Sequence, residues 1–271
     1  MAYRLLALDL DGTIVHSSLQ ISPRVRRALR MAMDRGVHVT LASGRPFGAT
    51  QMFAKELGIQ EPLICHQGAL VRDARSGETY FRCTLPRHLA DEVVDLGREH
   101  GWLLCLTLDD EQYVERPGPA LRLLLDLSPT LIEARVVNDL KALPQDPLRV
   151  LVVVAEPTEA DAVDQLLHER FAGRLLIVRS YSHFVEATNL AASKGQGLAF
   201  LAKKLGVSQS ETMAIGDNDN DADMVAWAGL GVAMGNASAA VKAAARHTTA
   251  TIAEDGAALA IERFILEQDD G

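Results

Sequence analysis

Both ends of this 271-residue chain alternate strand and helix signals while the middle does not, and that interruption constrains the architecture more than any other feature. In the first third, the apolar run 5–10 reads as a buried strand. Ser22-Pro23 supplies an N-cap followed by proline at the first helical position, which predicts a helix to about Arg35, before Gly36. Val37, Val39 and Leu41 mark a second strand, Phe47–Leu57 a helix stopped by Gly58, and residues 62–65 a third strand. The last third resumes with helices over 196–205, 221–227, 238–246 and 255–266, and strands over 213–215 and 231–234. Such alternation favours an α/β fold with a doubly wound, mostly parallel sheet covered by helices on both faces.

The middle has another rhythm. Residues 86–100 read as a helix, and Leu103–Leu108 and 112–115 as paired strands with Asp109-Asp110 at the turn. Residues 150–155 form a strong strand signal, 158–171 an amphipathic helix, and 175–178 and 184–187 further strands, with a loop over 138–147. The pattern predicts a separate α+β unit at 83–187, inserted into a core made of 1–82 and 188–271.

Asp9-Leu10-Asp11-Gly12-Thr13 follows the first strand directly. Residues two apart on an extended chain point the same way, so both carboxylates reach one space. In open α/β sheets that space, beyond the carboxyl ends of the strands, is where ligands bind. One carboxylate can act as nucleophile while its neighbour exchanges a proton with a leaving oxygen. Asp-Gly by itself more often marks a plain turn, so the weight rests on three further segments. Ser43-Gly44, in Leu41-Ala42-Ser43-Gly44-Arg45-Pro46, closes the second strand with a hydroxyl and backbone N–H groups suited to a phosphate. Lys194 opens a helix, where the dipole disfavours a cation and a compensating anion is expected.

The last segment, Gly216-Asp217-Asn218-Asp219-Asn220-Asp221, places three carboxylates within five residues beyond an apolar strand. One helix cap accounts for Asn220 or Asp221 but not for the cluster. The spacing fits a calcium-binding EF-hand loop poorly: its sixth position would be Asp221 instead of glycine, and its twelfth, Trp227 or Ala228, is not a glutamate. Two unit charges about 4 Å apart interact by roughly 4 kcal/mol at an effective dielectric of 20, so these carboxylates would repel a phosphate. Mg²⁺ together with Lys194 reverses that sign, and Mg²⁺ prefers one or two carboxylates plus phosphate and water.

These four segments, in this order, resemble the haloacid dehalogenase superfamily, specifically its Cof-type sugar-phosphatase branch with a type IIB cap. The tail, Gly231-Val232-Ala233-Met234-Gly235-Asn236-Ala237 and Glu254-Asp255-Gly256, is similar too. The resemblance implies that Asp9 is nucleophile and metal ligand, and that Asp11 is the general acid/base and binds Mg²⁺ through its backbone carbonyl. It further implies that Ser43, Gly44 and Lys194 hold phosphoryl oxygens, that Asp217 ligates the metal with Asp221 as ligand or support, and that Asn220 contacts phosphate or orients the carboxylates. The acid at position 11 separates the chain from the dehalogenases, which attack carbon. One departure lies in Cys65-His66-Gln67-Gly68-Ala69, where the branch has Asn before Gly-Ala. That position bears on substrate, not on chemistry.

The expected activity is therefore Mg²⁺-dependent hydrolysis of small phosphorylated metabolites, sugar phosphates or phosphorylated cofactors, through an aspartyl-phosphate on Asp9. A phosphomutase or phosphotransferase could use the same intermediate, and product analysis with an added acceptor separates them. A phospho-ligand sensor would be expected to have a broken motif, and none is broken. The net charge of −9 and pI near 5.4 argue against nucleic acid as partner. The longest purely apolar run, 150–155, is too short for a membrane span, and no signal peptide is evident. Three widely spaced cysteines suit a reducing compartment, so a cytoplasmic location is expected.

Overall fold

The structure, a computed structural model, describes residues 3–127 and 133–267. It divides the chain into two compact units, Met1–Phe81 with Ser193–Gly271, and Arg82–Ala192. In chain order the elements are β1 (Leu5–Leu8), α1 (Pro23–Asp34), β2 (His38–Leu41), α2 (Phe47–Leu57), β3 (Leu63–Cys65), β4 (Leu70–Arg72) and β5 (Thr79–Arg82). Next come α3 (Arg87–His100), β6 (Leu103–Leu108), β7 (Glu111–Val114), α4 (Pro119–Leu127), β8 (Arg135–Val136), β9 (Arg149–Val153), α5 (Pro157–Arg170), β10 (Leu175–Tyr181) and β11 (Phe184–Asn189). The chain continues through α6 (Lys194–Leu205), β12 (Thr212–Gly216), α7 (Ala222–Trp227), β13 (Leu230–Ala233), α8 (Ala239–Ala244), β14 (His247–Thr248) and α9 (Gly256–Ile261).

In the first unit, β14-β13-β12-β1-β2 form one sheet whose pairings are all parallel. Every residue of β1 is buried, as expected for a strand covered on both faces. Leu5 and Ala7 share a core with Leu198 and Leu201 of α6 and Met224 of α7, while Leu6 and Leu8, pointing the other way, are equally buried. From β1 the chain moves to β2 on one side. After the second unit it returns to β12 on the other. This reversal opens a crevice at the carboxyl ends of β1 and β12, which pair in register from Leu5 opposite Thr212 to Leu8 opposite Ile215. Helix α6 opens at Lys194 as expected, two residues before the periodic segment 196–205, because the Ser193 hydroxyl caps the N–H of Gln196.

The second unit is a six-stranded sheet, β10-β11-β9-β6-β7-β8, antiparallel except where β7 meets β8. One face is apolar: Leu104, Leu106, Val150, Val152, Val185 and Ala187 pack with Val93, Val94 and Leu167 of α3 and α5. On the other face, Leu103, Cys105, Leu151, Val153 and Phe184 pack with Leu124 of α4. The remainder of that face is polar yet buried. Arg149 Nη1 lies 2.7 Å from Glu186 Oε2, and Arg149 Nε donates to Thr107 Oγ1 at 3.1 Å. The Thr107 hydroxyl in turn donates to Gln112 Oε1 at 2.8 Å. No helix among the described residues is long and apolar enough to cross a membrane.

Removing one partner of a buried ion pair strands the other charge, whereas removing both can be nearly neutral. Arg149→Met is therefore expected to lower stability by about 3–5 kcal/mol, and R149M/E186M to regain most of the loss. Urea unfolding of the wild type and both variants checks this; a harmless single replacement would mean that Glu186 is not held by Arg149.

Candidate active site

The site begins where β1 ends. The Asp9 N–H donates to the Ile215 carbonyl at 3.0 Å, locking the first residue beyond β1 to its neighbour β12. The chain then curls, because the Leu10 carbonyl collects the N–H groups of Thr13, Ile14 and Val15. Gly12 sits at φ +88°, and a methyl there would meet Asp217 Oδ2 at 2.2 Å, so glycine is required both by conformation and by space.

Lys194, buried at the start of α6, bridges both ends of the first unit's sequence. Its ammonium donates to Asp9 Oδ1 and to Asp221 Oδ1, each at 2.6 Å. The second oxygen of Asp221 accepts the backbone N–H groups of Asp217 and Asn218, each at 3.0 Å. Asp217 is held by the Thr13 hydroxyl at 3.0 Å and by Asn236 Nδ2 at 3.3 Å. Asn236 also donates to the Gly12 carbonyl and accepts from the N–H of Ile252, both at 2.9 Å. Asp9, Asp217 and Asp221 thus offer carboxylate oxygens that all lie within 4.8 Å of one another.

The charges do not balance. Burial, followed by the charge of Asp221, pushes the Asp9 carboxyl well above the usual range although Lys194 opposes the shift. Burial and Asp221 push Asp217 up to about 6, against the hydrogen bond from Thr13. Burial disfavours the Lys194 ammonium, but Asp221 and Asp9 outweigh it and hold the lysine above its ordinary value. One lysine among three close carboxylates leaves the cluster short of positive charge. The all-oxygen donor set suits a hard divalent cation such as Mg²⁺.

The other expected residues gather beside this cluster. Ser43 follows β2, donates its N–H to the Ile64 carbonyl at 2.8 Å, and accepts the Arg45 N–H on Oγ at 3.1 Å, which leaves its hydroxyl proton to donate. Gly44 lies under the carboxamide of Gln67, and Asn220 Nδ2 donates to Gln67 Oε1 at 2.8 Å. Asp9, Lys194, Asp217 and Asp221 form the compact cluster; Ser43, Gly44 and Asn220 meet around Gln67. The Asp11 carboxylate stands outside the group of three and about half exposed, with both oxygens in the fork of Arg45, Nε to Oδ2 at 2.7 Å and Nη2 to Oδ1 at 2.6 Å. Sequence reasoning assigned no role to Thr13, Arg45, Gln67 or Asn236. Arg45 had a signal, since it directly follows Ser43-Gly44 in the same segment.

Residues 6–261 match the model of a family described as haloacid dehalogenase-like hydrolase. The chain belongs to this family. Phosphatase YwpJ of Bacillus subtilis is 31% identical, over 94% of this chain and 97% of that protein. The 5-amino-6-(5-phospho-D-ribitylamino)uracil phosphatase YitU of Bacillus subtilis is 28% identical, over 97% of this chain and 96% of its own length. In three dimensions, a haloacid dehalogenase-like hydrolase from Bacteroides thetaiotaomicron superimposes with a TM-score of 0.83 at 31% identity, covering 96% of this chain and 99% of that one.

A raised carboxylate pKa means that the folded protein keeps the proton more tightly than the unfolded chain. The contribution of Asp217 to stability is thus full below the ordinary carboxylate value and is lost as pH rises toward about 6. In chelator, the wild type is expected to melt higher at about pH 5 than at about pH 7, and Asp217→Asn to melt above wild type at the higher pH. Millimolar Mg²⁺ should raise the melting temperature of the wild type and have little effect on D217N. Thermal melts with and without metal decide this; a metal response unchanged in D217N would remove Asp217 from the cation site.

Proposed function

We propose that the protein is a Mg²⁺-dependent phosphomonoester hydrolase of small phosphorylated metabolites, sugar phosphates or phosphorylated cofactors, working through an aspartyl-phosphate on Asp9. The observation that carries this reading is the bond between buried Lys194 and Asp9 at the mouth of β1, with Asp217 and Asp221 in the same cluster. The phosphatase names of YwpJ and YitU support it.

In the proposed reaction an Asp9 oxygen attacks phosphorus, the bond to the leaving oxygen breaks, and Asp11 gives that oxygen a proton. Lys194, the Ser43 hydroxyl, the Gly44 N–H and Asn220 hold the non-bridging oxygens. Water then attacks phosphorus, Asp11 takes its proton, and inorganic phosphate leaves with the Asp9 carboxylate restored. Asp9, the Asp11 carbonyl and Asp217 would hold Mg²⁺, with Asp221 as ligand or support, and the ion would supply positive charge against the phosphate oxygens. Arg45 sets where the Asp11 carboxylate waits. The unit Arg82–Ala192 is assigned the choice among phosphate esters.

Asp9→Asn is expected to abolish phosphate release, because the amide is a poor nucleophile. Asp11→Asn should slow hydrolysis of ordinary alkyl esters by about 10²–10⁴-fold. With p-nitrophenyl phosphate, whose leaving group needs little protonation, its first step should suffer less and give a burst of phenolate before slow turnover. Substituting Ca²⁺ for Mg²⁺ should depress the rate, since Ca²⁺ accepts a looser and larger ligand shell. A screen of phosphorylated metabolites by phosphate release, with trapping of the acid-labile phosphoenzyme, tests all of this. Near wild-type turnover by D9N would end the covalent reading.

A further inference from the structure

Gln67 lies in the one stretch where the sequence departs from the pattern of the branch it resembles, and the structure gives that stretch an unusual backbone. His66 and Gln67, neither of them glycine, have φ of 50° and 58°, and Gly68 follows at 90°. L-residues in this region are strained, and consecutive ones persist only where their surroundings over-determine them. Here the surroundings are the segments that carry the candidate phosphate-binding residues. The His66 N–H donates to the Arg45 carbonyl at 3.1 Å and the Gln67 N–H to the Ser43 carbonyl at 3.2 Å. Gly68 is pressed so closely on the segment before α6 that a methyl there would meet the Ser193 carbonyl oxygen at 1.9 Å.

This clamp drives the Gln67 side chain, only 4% exposed as a residue, into the space between Gly44 and Asn220. A methyl on Gly44 would lie 2.3 Å from Gln67 Nε2. The two ends of the carboxamide are used unequally. Oε1 accepts from Asn220 Nδ2 at 2.8 Å, whereas Nε2 donates to no acceptor among the described residues. Asn220 Oδ1 is buried and also has no hydrogen-bond partner among them. The Nε2 donor, on a residue only 4% exposed, thus has no protein acceptor of its own. Beside Ser43 and Gly44 its natural partner is an anionic oxygen, and a neutral donor can serve there without disturbing the carboxylates nearby.

We propose that Gln67 is a further phosphate-binding residue, with Nε2 donating to a phosphoryl oxygen above Gly44 while Oε1 holds Asn220 in place. The proposal rests on the phosphatase reading of the site. It extends the set of phosphate contacts beyond the residues that the motifs name.

Gln67→Glu keeps the length of the side chain and the oxygen that accepts from Asn220 but turns the donor into an anionic acceptor. Gln67→Met keeps the length and removes both functions. The experiment measures binding of inorganic phosphate to the Mg²⁺-loaded protein by calorimetry, together with KM and kcat for p-nitrophenyl phosphate. A donor to a charged oxygen is expected to be worth about 10- to 100-fold in phosphate affinity, lost in Q67M and exceeded in Q67E, with KM rising by a similar factor and kcat changing less. Unchanged phosphate affinity and KM in a folded Q67E would show that Gln67 only props Asn220, and would overturn the proposal. If Q67E does not fold, wild-type affinity in Q67M overturns it equally. A wild type that binds phosphate yet releases none from any ester would end the hydrolase reading, while the loss of binding in the variants would still support Gln67. A wild type that binds no phosphate overturns both.

Discussion

The ammonium of Lys194, out of contact with water and touching Asp9 and Asp221, is the interaction on which the rest of the first unit depends. A buried cation without partners costs several kcal/mol, and at the first residue of a helix the dipole adds to that cost. Two carboxylates at 2.6 Å offset both. Because Asp9 stands 185 residues before Lys194 and Asp221 only 27 after it, the same bond that neutralises the lysine also closes the unit's two sequence segments on one another.

The four motif carboxylates that the site involves are held to different degrees, and the gradation matches different tasks. Asp221 has both oxygens engaged, one by the lysine and the other by two backbone N–H groups, so it serves as an anchor. Asp217 is steadied from the side by a hydroxyl and an amide. Asp11 is the most exposed of them and is bound only through a side chain, Arg45, that comes from the neighbouring strand's exit. In the proposed reaction Asp11 exchanges protons, and such a position suits that, since an arginine fork can be exchanged for another partner without moving backbone.

The elements legible in the sequence were those with a strong local signature. Strands β1 and β12 are largely apolar runs followed by polar residues, β2 alternates apolar and polar residues, and the Asp109-Asp110 turn, with Asp109 at φ 53°, marks the β6–β7 hairpin. Two-residue strands such as β8 and β14 have no period to read. Helix α4 was missed for another reason: it is short, and Pro117-Gly118-Pro119 at its start reads as a turn. Within the site, Asp217 and Asp221 are conspicuous because they are neighbours in sequence. Gln67 and Asn236 are not, because what they do is decided by residues far along the chain, 153 positions away for the bond from Asn220 to Gln67. An amide has no fixed preference until its neighbours are known.

The order of the strands also sets a timetable. Since β1 lies between β2 and β12, with its Asp9 N–H bonded to Ile215, this strand of the parallel sheet lacks one neighbour until residue 216 has left the ribosome. The second unit, Arg82–Ala192, is continuous in sequence and can complete its own sheet before then. During synthesis the first 81 residues therefore wait, with an apolar strand edge open, while a later-made unit folds ahead of them. A stop of translation anywhere in α6 would release a chain with one finished unit and an unsatisfied Leu5–Leu8 edge, a species suited to capture by chaperones or to pairing with another copy of itself.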